Sequence, residues 1–252
     1  MSMKEVAKRA LASLDLTSLN DDDTDEKIIE LCKKAHGDFG HTAAVCVWPR
    51  FVKLAKEQLK GTGVRIATVT NFPHGSTDIE ATVAETKKAI EDGADEIDVV
   101  MPYKAFMNGD KAAAKALLDA TRAACGKKTL KVILETGVLT HADLIAEASK
   151  LAIECGADFI KTSTGKVAVS ATLEAANVML EVIRDSGKPV GFKAAGGVKT
   201  TAQAGDYMAL ADKIMGPDWI SLMTFRFGAS GVRDALIASL NGDDSVSSKG
   251  GY

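Results

Sequence analysis

The sequence has 252 residues, of which 46% are hydrophobic and 26% are charged, so it holds enough apolar material for one large domain or two small ones. A net charge of -3 and a pI near 5.9 exclude the strongly basic surface that binds nucleic acid or an anionic membrane. No apolar run approaches the roughly 18 residues that a membrane span requires, so we expect neither nucleic-acid nor membrane partners.

The first ten residues mix charged and apolar side chains at helical spacing and lack the apolar stretch of a signal peptide. They predict a short N-terminal helix. The cysteines are Cys32, Cys46, Cys125 and Cys155, and no two of them form a CxxC pair. Scattered cysteines of this kind are typical of reduced thiols inside a cell, so we expect a cytoplasmic protein.

The first predicted strand covers residues 14–19, where apolar and polar residues alternate. Residues 20–25 are mostly acidic and supply N-caps and negative charge for a helix over residues 24–35. A calcium-binding EF-hand loop that began at Asp21 would need glycine at its sixth position, where Glu26 stands. We therefore interpret the acidic run as a helix cap.

From residue 42 onward, short apolar runs alternate with amphipathic helical patterns. The predicted strands are 42–48, 64–70, 96–101, 130–136, 158–163, 189–194 and 224–228, and the predicted helices are 50–60, 77–92, 110–125, 141–155, 172–186, 200–214 and 230–240. Apolar runs without strict alternation are typical of parallel strands buried on both faces. With the first pair, the chain has eight strand–helix units, which predicts an α/β fold, a single TIM (β/α)8 barrel over residues 1–241. Residues 242–252 are rich in Gly, Ser and Asp and predict a flexible tail.

An open doubly wound sheet shares the same local pattern and is the competing architecture. The count of eight units disfavours it, and no GxGxxG sequence follows a predicted strand. Gly165 and Lys166 do not form a Walker A motif, because Ile160 stands where its first glycine would be.

Two lysines stand in predicted buried strands, Lys161 in the sixth and Lys193 in the seventh, and each precedes a glycine-containing turn. Burial removes water from an ammonium group and lowers the pKa of the lysine, which makes the amine a nucleophile at neutral pH. A single such lysine is more often one whose stem is buried and whose head is in water. Two neighbouring strands with the same pattern favour a buried pair, in which each ammonium disfavours the charge of the other.

Three carboxylates fall in the same zone. Asp15 lies on the first strand and Asp98 on the fourth, and both can compensate the lysine charges. Glu135, near the end of the fifth strand, is either a second acid or base or a partner in an ion pair at the barrel mouth. A capping or ion-pair role remains the alternative for each aspartate, but together with two lysines we interpret them as functional.

Glycine turns follow strands six, seven and eight and precede helices, and such turns in barrels are frequent phosphate sites. The candidate phosphate ligands are Thr164, Gly165, Lys166, Gly196, Gly197 and Ser230. We expect Thr17, Cys46 and Phe72 to line the pocket, with Trp48 near Phe72 at its mouth. For Cys46, a buried structural cysteine is the alternative, and the more common one. The four histidines show no ligand spacing, so we expect no metal site.

The chain resembles the deoxyribose-phosphate aldolase family in its bacterial form, which ends in a tyrosine. The matching stretches are DLTSLNDDDTDEK at 15–27, TVTNFPHG at 68–75, GADEIDVV at 93–100, ADFIKTSTGKVA at 157–168 and FRFGAS at 225–230. These motifs run through nearly the whole chain and are highly specific in length and order.

The resemblance implies a class I aldolase without metal or cofactor that reversibly cleaves 2-deoxy-D-ribose 5-phosphate to glyceraldehyde 3-phosphate and acetaldehyde. It implies that Lys161 forms the Schiff base, that Lys193 lowers its pKa and that Asp98 acts through a water in the proton transfers. Asp15 would support Lys193, and Tyr252 would reach the site and assist proton exchange. The implied partners are the sugar phosphate, the aldehydes and a second copy of the chain in a homodimer.

The sequence departs from the family pattern at four places. Ala194 replaces a common proline, Trp48 a frequent tyrosine, and Gly231 a serine that often helps to hold phosphate, while residues 219–224 are unusually apolar. Two other functions stay open: another Schiff-base aldolase of the transaldolase or keto-acid type, and a barrel that binds phosphate without catalysis.

Overall fold

The computed structural model describes residues 2–247, which form a closed barrel of eight parallel strands. The strands are β1 (Leu14–Ser18), β2 (Ala44–Val47), β3 (Arg65–Thr70), β4 (Glu96–Val100), β5 (Thr129–Ile133), β6 (Phe159–Lys161), β7 (Gly191–Ala195) and β8 (Phe225–Ala229). Each strand pairs in parallel with the next, and β8 pairs with β1 to close the barrel. The predicted TIM barrel is confirmed.

Helices follow the strands in the order that the sequence predicts. They are α1 (Met3–Ala12), α2 (Asp25–Lys34), α3 (Val52–Gln58), α4 (Ile79–Glu91), α5 (Tyr103–Met107), α6 (Lys111–Cys125), α7 (Thr136–Leu139), α8 (Ala142–Glu154), α9 (Leu173–Ser186), α10 (Thr201–Met215) and α11 (Val232–Leu240). Helix α1 precedes the barrel and packs against α10 and α11. The short helices α5 and α7 were not predicted, nor was a small hairpin that pairs His36–Gly37 with Gly40–His41.

Side-chain caps explain where many of the outer helices begin. The N-cap residues whose side chains accept a hydrogen bond from a first-turn amide are Ser2, Thr24, Asp78, Asp110, Thr172 and Thr200. The acidic run before α2 continues into its first turn with Asp25 and Glu26, where negative charge interacts favourably with the positive end of the helix dipole. Its predicted role as a cap is therefore confirmed.

The barrel separates apolar from charged side chains. Residues such as Leu16, Val99 and Phe192 lie in the large apolar cluster that the strands share with the helices. The opposite faces of several strands carry charged side chains that are completely buried, among them Asp98 and Lys193. Since side chains alternate along a strand, the charges lie inside the barrel and the apolar residues face the helices. No helix within residues 2–247 is long and apolar enough to cross a bilayer.

Candidate active site

Lys161 and Lys193 lie at the same height in the barrel, because the register between β6 and β7 aligns them. Both side chains are completely buried. Their Nζ atoms donate to one carboxylate oxygen, Oδ2 of Asp98, at 3.0 Å from Lys161 and 2.8 Å from Lys193. Lys193 also donates to Oδ2 of Asp15 at 2.5 Å. Four of the residues that the sequence selected for catalysis therefore form one ion cluster.

Gly228 on β8 leaves room for the side chain of Lys193. A Cβ atom at position 228 would lie 2.9 Å from Cε of Lys193 and 3.2 Å from Cβ of Ala195. Any larger residue would displace the Lys193 side chain from its path to Asp15. The glycine that the sequence places in FRFGAS thus fixes the position of an amine.

A second tier of charges lies beneath the first and was missed in the sequence. Lys131 donates to Oδ1 of Asp98 at 2.8 Å, and its Nζ atom lies 2.5 Å from Oε2 of Glu96 and 3.3 Å from Oδ2 of Asp15. Arg226 contacts Asp15 at 2.6 Å and Glu96 at 2.9 Å. All of these side chains are completely buried. The signal was present, because Lys131, Glu96 and Arg226 are also charged residues inside apolar strands.

Opposite charges decide how the cluster ionises. Burial alone would raise the pKa values of Asp15 and Asp98, but nearby ammonium groups, led by Lys131 and then Lys193, outweigh it and hold both pKa values well below their ordinary range. Burial would lower the pKa values of Lys131 and Lys193, but the carboxylates of Asp15 and Asp98 outweigh it and raise both. The aspartates are therefore ionised, and these two lysines protonated, at neutral pH.

The predicted pocket residues lie at different depths. Thr17 and Cys46 are completely buried, and the Thr17 hydroxyl donates to the carbonyl of Asp15 at 2.8 Å. Burial, and then the charge of Asp98, raise the pKa of the Cys46 thiol, so it stays protonated and serves packing. Phe72 is half-buried at the rim, where its ring meets that of Trp48 edge to face at 5.5 Å.

The three predicted phosphate loops converge. The amide of Gly196 donates to the carbonyl of Gly228 at 3.0 Å, and a Cβ atom on Gly196 would lie 3.6 Å from Cα of Gly165. Gly165, Gly196 and Gly197 all have positive φ values, which favour glycine. Ser230 is half-buried in the turn after β8.

Lys166 and Thr164 extend from the loop after β6 in different directions. Lys166 is exposed, and its Nζ atom donates to the carbonyl of Leu19, in the segment after β1, at 2.6 Å. Gly231, the N-cap residue of α11, has no side chain with which to cap the first-turn amides of this helix, which lie next to Ser230. The arrangement suits an anion.

Glu135 has a structural role that the sequence left open. Its backbone is left-handed, with φ of 61°, and its carboxylate accepts hydrogen bonds from the Thr164 amide at 3.1 Å and the Thr164 hydroxyl at 2.5 Å. Burial raises its pKa. Glu135 therefore holds the loop after β6 in place, next to Lys161.

Ser163 is a further residue that sequence reasoning missed. Its side chain is buried two residues beyond Lys161, and its hydroxyl has no hydrogen-bond partner among residues 2–247. A buried hydroxyl needs a partner, so it is available to water or a substrate. The predicted role of Tyr252 falls outside the described residues. Within those residues, no group of three or more His, Cys, Asp or Glu side chains could hold a metal ion.

The sequence matches one family model, described as the DeoC/LacD family aldolase, over residues 9–216. This match includes Asp15, Asp98, Lys131, Lys161 and Lys193.

Solved structures agree with this match. A candidate deoxyribose-phosphate aldolase from Toxoplasma gondii is 26% identical, with 96% of each chain covered and a TM-score of 0.87. A candidate deoxyribose-phosphate aldolase from Coccidioides immitis is 32% identical, over 93% of this chain and 86% of that one, with a TM-score of 0.82. The tetrameric deoxyribose phosphate aldolase from Aeropyrum pernix is 22% identical, over 94% and 92% of the two chains, with a TM-score of 0.75, and supports the fold alone.

Proposed function

The chain belongs to the DeoC/LacD family of aldolases, and from that premise we propose that it reversibly cleaves 2-deoxy-D-ribose 5-phosphate through a Schiff base on Lys161. The products are glyceraldehyde 3-phosphate and acetaldehyde. The observation that supports this choice is a lysine amine held inside the barrel by a carboxylate oxygen that it shares with a second lysine.

The charge balance of the buried cluster favours Lys161 as the nucleophile. Among residues 2–247, the cluster holds four basic side chains and three carboxylates, all completely buried. An uncompensated buried charge is costly, so the cluster is best balanced when one amine is neutral. Within residues 2–247, Lys131 and Lys193 each form ion pairs with two or more carboxylates, and Lys161 forms one with Asp98, on an oxygen that it shares with Lys193.

The mechanism begins when the neutral amine of Lys161 attacks the C1 aldehyde of the sugar. The adduct takes up a proton and loses water, which gives a protonated imine that draws electrons from the bond being broken. Because acetaldehyde carries C1 and C2, the bond that breaks is C2–C3, and the C3 hydroxyl loses its proton. The product that remains on the lysine is an enamine.

Asp98 and Lys193 act in the proton transfers. The low pKa of Asp98 keeps it ionised, so its carboxylate can orient a water that accepts the C3 proton. Lys193 stays cationic and stabilises the negative charge that develops on the C3 oxygen. Protonation of the enamine at C2, followed by hydrolysis, releases acetaldehyde and restores the neutral amine.

Reductive trapping tests the proposal directly. The protein is mixed with acetaldehyde and borohydride, digested, and mapped by mass spectrometry. We expect a two-carbon group on Lys161 and none in a sample without borohydride. No adduct in folded protein would leave the phosphate-binding barrel as the better description. An adduct that forms with dihydroxyacetone but not with acetaldehyde would indicate a transaldolase-like enzyme.

The phosphate site predicts a substrate-specific effect of Gly197→Ala. Gly197 has φ of 83°, and an added Cβ has no heavy atom nearer than 3.7 Å, so the change strains the backbone without a clash. We expect KM for the phosphorylated sugar to rise about tenfold, while activity toward unphosphorylated 2-deoxyribose stays near the wild-type value.

The control is Gly187→Ala, at the end of α9. This glycine also has positive φ, 62°, and open space around its Cβ position. It carries similar strain away from the loops, so its KM should not change. Equal losses with both sugars in Gly197→Ala would contradict a phosphate role for this loop.

A further inference from the structure

A chain of ion pairs runs from Lys161 down through the barrel to its opposite end. Asp98 joins Lys161 to Lys131, and Lys131 lies 2.5 Å from Glu96. Glu96 then contacts Arg65, the first residue of β3, at 3.1 Å. The Arg65 side chain is 38% exposed, whereas Glu96 is fully buried, so the chain ends at solvent.

Glu96 balances three cations at once. It receives two hydrogen bonds from Arg226, at 2.9 and 3.2 Å, in addition to its contacts with Lys131 and Arg65. The Lys131 and Arg226 charges, and then the hydrogen bond from Arg226, hold the pKa of Glu96 below its ordinary value against the effect of burial. The carboxylate is therefore a permanent negative charge beneath the reacting amine.

We propose that Glu96 and Arg65 are positioning residues that set the protonation of Lys161 from the far end of the barrel. The inference rests on the proposed function of Lys161. Neither residue touches the substrate in this scheme. They act because charges in a dry interior are screened weakly, so a change of one charge alters the balance of the whole cluster.

Charged and titratable groups surround Lys161 from almost every strand. They are Asp15 on β1, Cys46 on β2, Arg65 on β3, Glu96 and Asp98 on β4, Lys131 on β5 with Glu135 after it, Lys193 on β7 and Arg226 on β8. Glu96 and Arg65 are distinctive among them, because they lie in the tier farther from the mouth and can be changed without removing a group next to the reacting atoms.

The two residues should act in opposite directions. Glu96→Gln removes a negative charge, which makes an ammonium on Lys161 less favourable. Imine formation requires the neutral amine. The acidic limb of the pH–rate profile for imine formation should therefore move to lower pH, by about one unit. Arg65→Met removes a positive charge and should move the limb to higher pH. The second shift should be smaller, about half a unit, because water screens the exposed guanidinium.

The experiment measures the rate of imine trapping with acetaldehyde and cyanoborohydride as a function of pH, with the adduct on Lys161 quantified by mass spectrometry. The double variant Glu96→Gln with Arg65→Met should return the midpoint toward the wild-type value. Glu96→Asp keeps the negative charge, so its pH midpoint should lie near the wild-type value. Asp95→Asn is the matched control, because Asp95 pairs with surface Lys56 at 3.0 Å.

A purely structural role would lower rates without moving midpoints in opposite directions. If the pH midpoints of Glu96→Gln and Arg65→Met equal that of the wild type, or if the midpoint of Asp95→Asn shifts as far as that of Glu96→Gln, the inference is overturned. The proposed function still holds in that case, provided that the wild type forms the adduct on Lys161. Absence of an adduct on Lys161 in the wild type would refute the proposed function, and the inference with it. Circular dichroism and melting temperatures show which variants are folded, and if Glu96→Gln is not, the shift of Arg65→Met to higher pH provides the test.

Discussion

Lys161→Met is expected to lower kcat/KM for cleavage of 2-deoxyribose 5-phosphate by about 10,000-fold or more, because it removes the nucleophile and with it the covalent path. A loss of this size corresponds to ~5.5 kcal/mol of transition-state stabilisation. The same variant should give no adduct with acetaldehyde and borohydride. Steady-state kinetics and peptide mapping measure both effects.

The stability of Lys161→Met carries separate information. If Lys161 is the neutral amine, its removal leaves three carboxylates facing three buried cations, and the melting temperature should stay within a few degrees of wild type. Lys193→Met is the contrasting variant. It leaves Asp15 and Asp98 without the ammonium that lies 2.5 and 2.8 Å from them, so we expect a loss of about 3–5 kcal/mol in the free energy of unfolding.

These two lysine variants can contradict the assignment in different ways. Substantial turnover by Lys161→Met would show that another residue is the nucleophile. A loss of stability in Lys161→Met as large as in Lys193→Met would show that Lys161 is charged in the resting protein. The latter result would remove the charge-balance argument even if the Schiff base were trapped.

Most of the fold could be predicted because the signal is local. Eight apolar runs separated by helical patterns specify a parallel barrel, and the observed strand bounds differ from the predicted ones by at most a few residues. The predicted end of β5, residue 136, lies three residues beyond the observed end, Ile133. Strand β6 was predicted over 158–163 and is observed at half that length, as Phe159–Lys161. After Lys161, the Thr162 hydroxyl donates to the carbonyl of Ala195 and accepts from its amide, so side-chain hydrogen bonds join the two chains where strand pairing was predicted to continue.

Helices α5 and α7 could not be predicted for a different reason. Each has five residues or fewer, so neither shows a hydrophobic period. Helix α7 begins after Glu135, whose left-handed backbone is held by hydrogen bonds to Thr164 on the next loop. Such a conformation depends on a contact 29 residues away, which the local sequence does not contain.

The sequence predicted the first tier of the candidate site, which includes Lys161 and Lys193, and missed the second tier of Lys131, Glu96 and Arg226. Lys161 and Lys193 stood out because glycine turns follow them, whereas Lys131 lies in TLKVI without such a turn. The partners of Lys131 depend on strand register, which aligns it with Asp98 across β4 and β5. Register in a closed barrel is set by all eight strands together, so it could not be obtained from any one motif.

The structure also changes the reason for a neutral amine. From the sequence, two adjacent ammonium groups were expected to repel each other directly. In the structure Oδ2 of Asp98 lies within hydrogen-bond distance of both Nζ atoms and separates their charges. The surplus of one basic group over the carboxylates is therefore the stronger argument, and it involves residues that lie on six different strands.

Asp98→Asn is expected to have the second large effect, a loss of about 1,000-fold or more in the rate of sugar cleavage. The carboxylate accepts hydrogen bonds from three lysines. An amide NH2 group would face the Lys131 donor in place of Oδ1, or the Lys161 and Lys193 amines in place of Oδ2. Lys161 itself remains, so acetaldehyde should still be trapped there, although more slowly. Trapping that survives while C2–C3 cleavage is lost would separate the proton-transfer role from the nucleophile.

The same substitution should change the dependence of stability on pH. Because the folded-state pKa of Asp98 is depressed, its ionisation stabilises the fold above the unfolded pKa of about 4 and this contribution disappears as pH falls through the folded value. Asp98→Asn should therefore be less stable than wild type by about 3–5 kcal/mol at pH 7, and the difference should narrow below pH 4.

Asp212→Asn provides the control for this pH effect, since Asp212 pairs with Arg9 at 3.5 Å on the surface and should contribute less than about 1 kcal/mol. Urea unfolding at a series of pH values measures both variants. A constant difference between Asp98→Asn and wild type from pH 7 to pH 3 would show that the carboxylate charge does not stabilise the cluster. Near-wild-type cleavage by Asp98→Asn would exclude this residue from the proton transfers. Another group would then have to orient the water that receives the C3 proton. The candidate nearest to Lys161 in sequence is the hydroxyl of Ser163, which has no hydrogen-bond partner among residues 2–247.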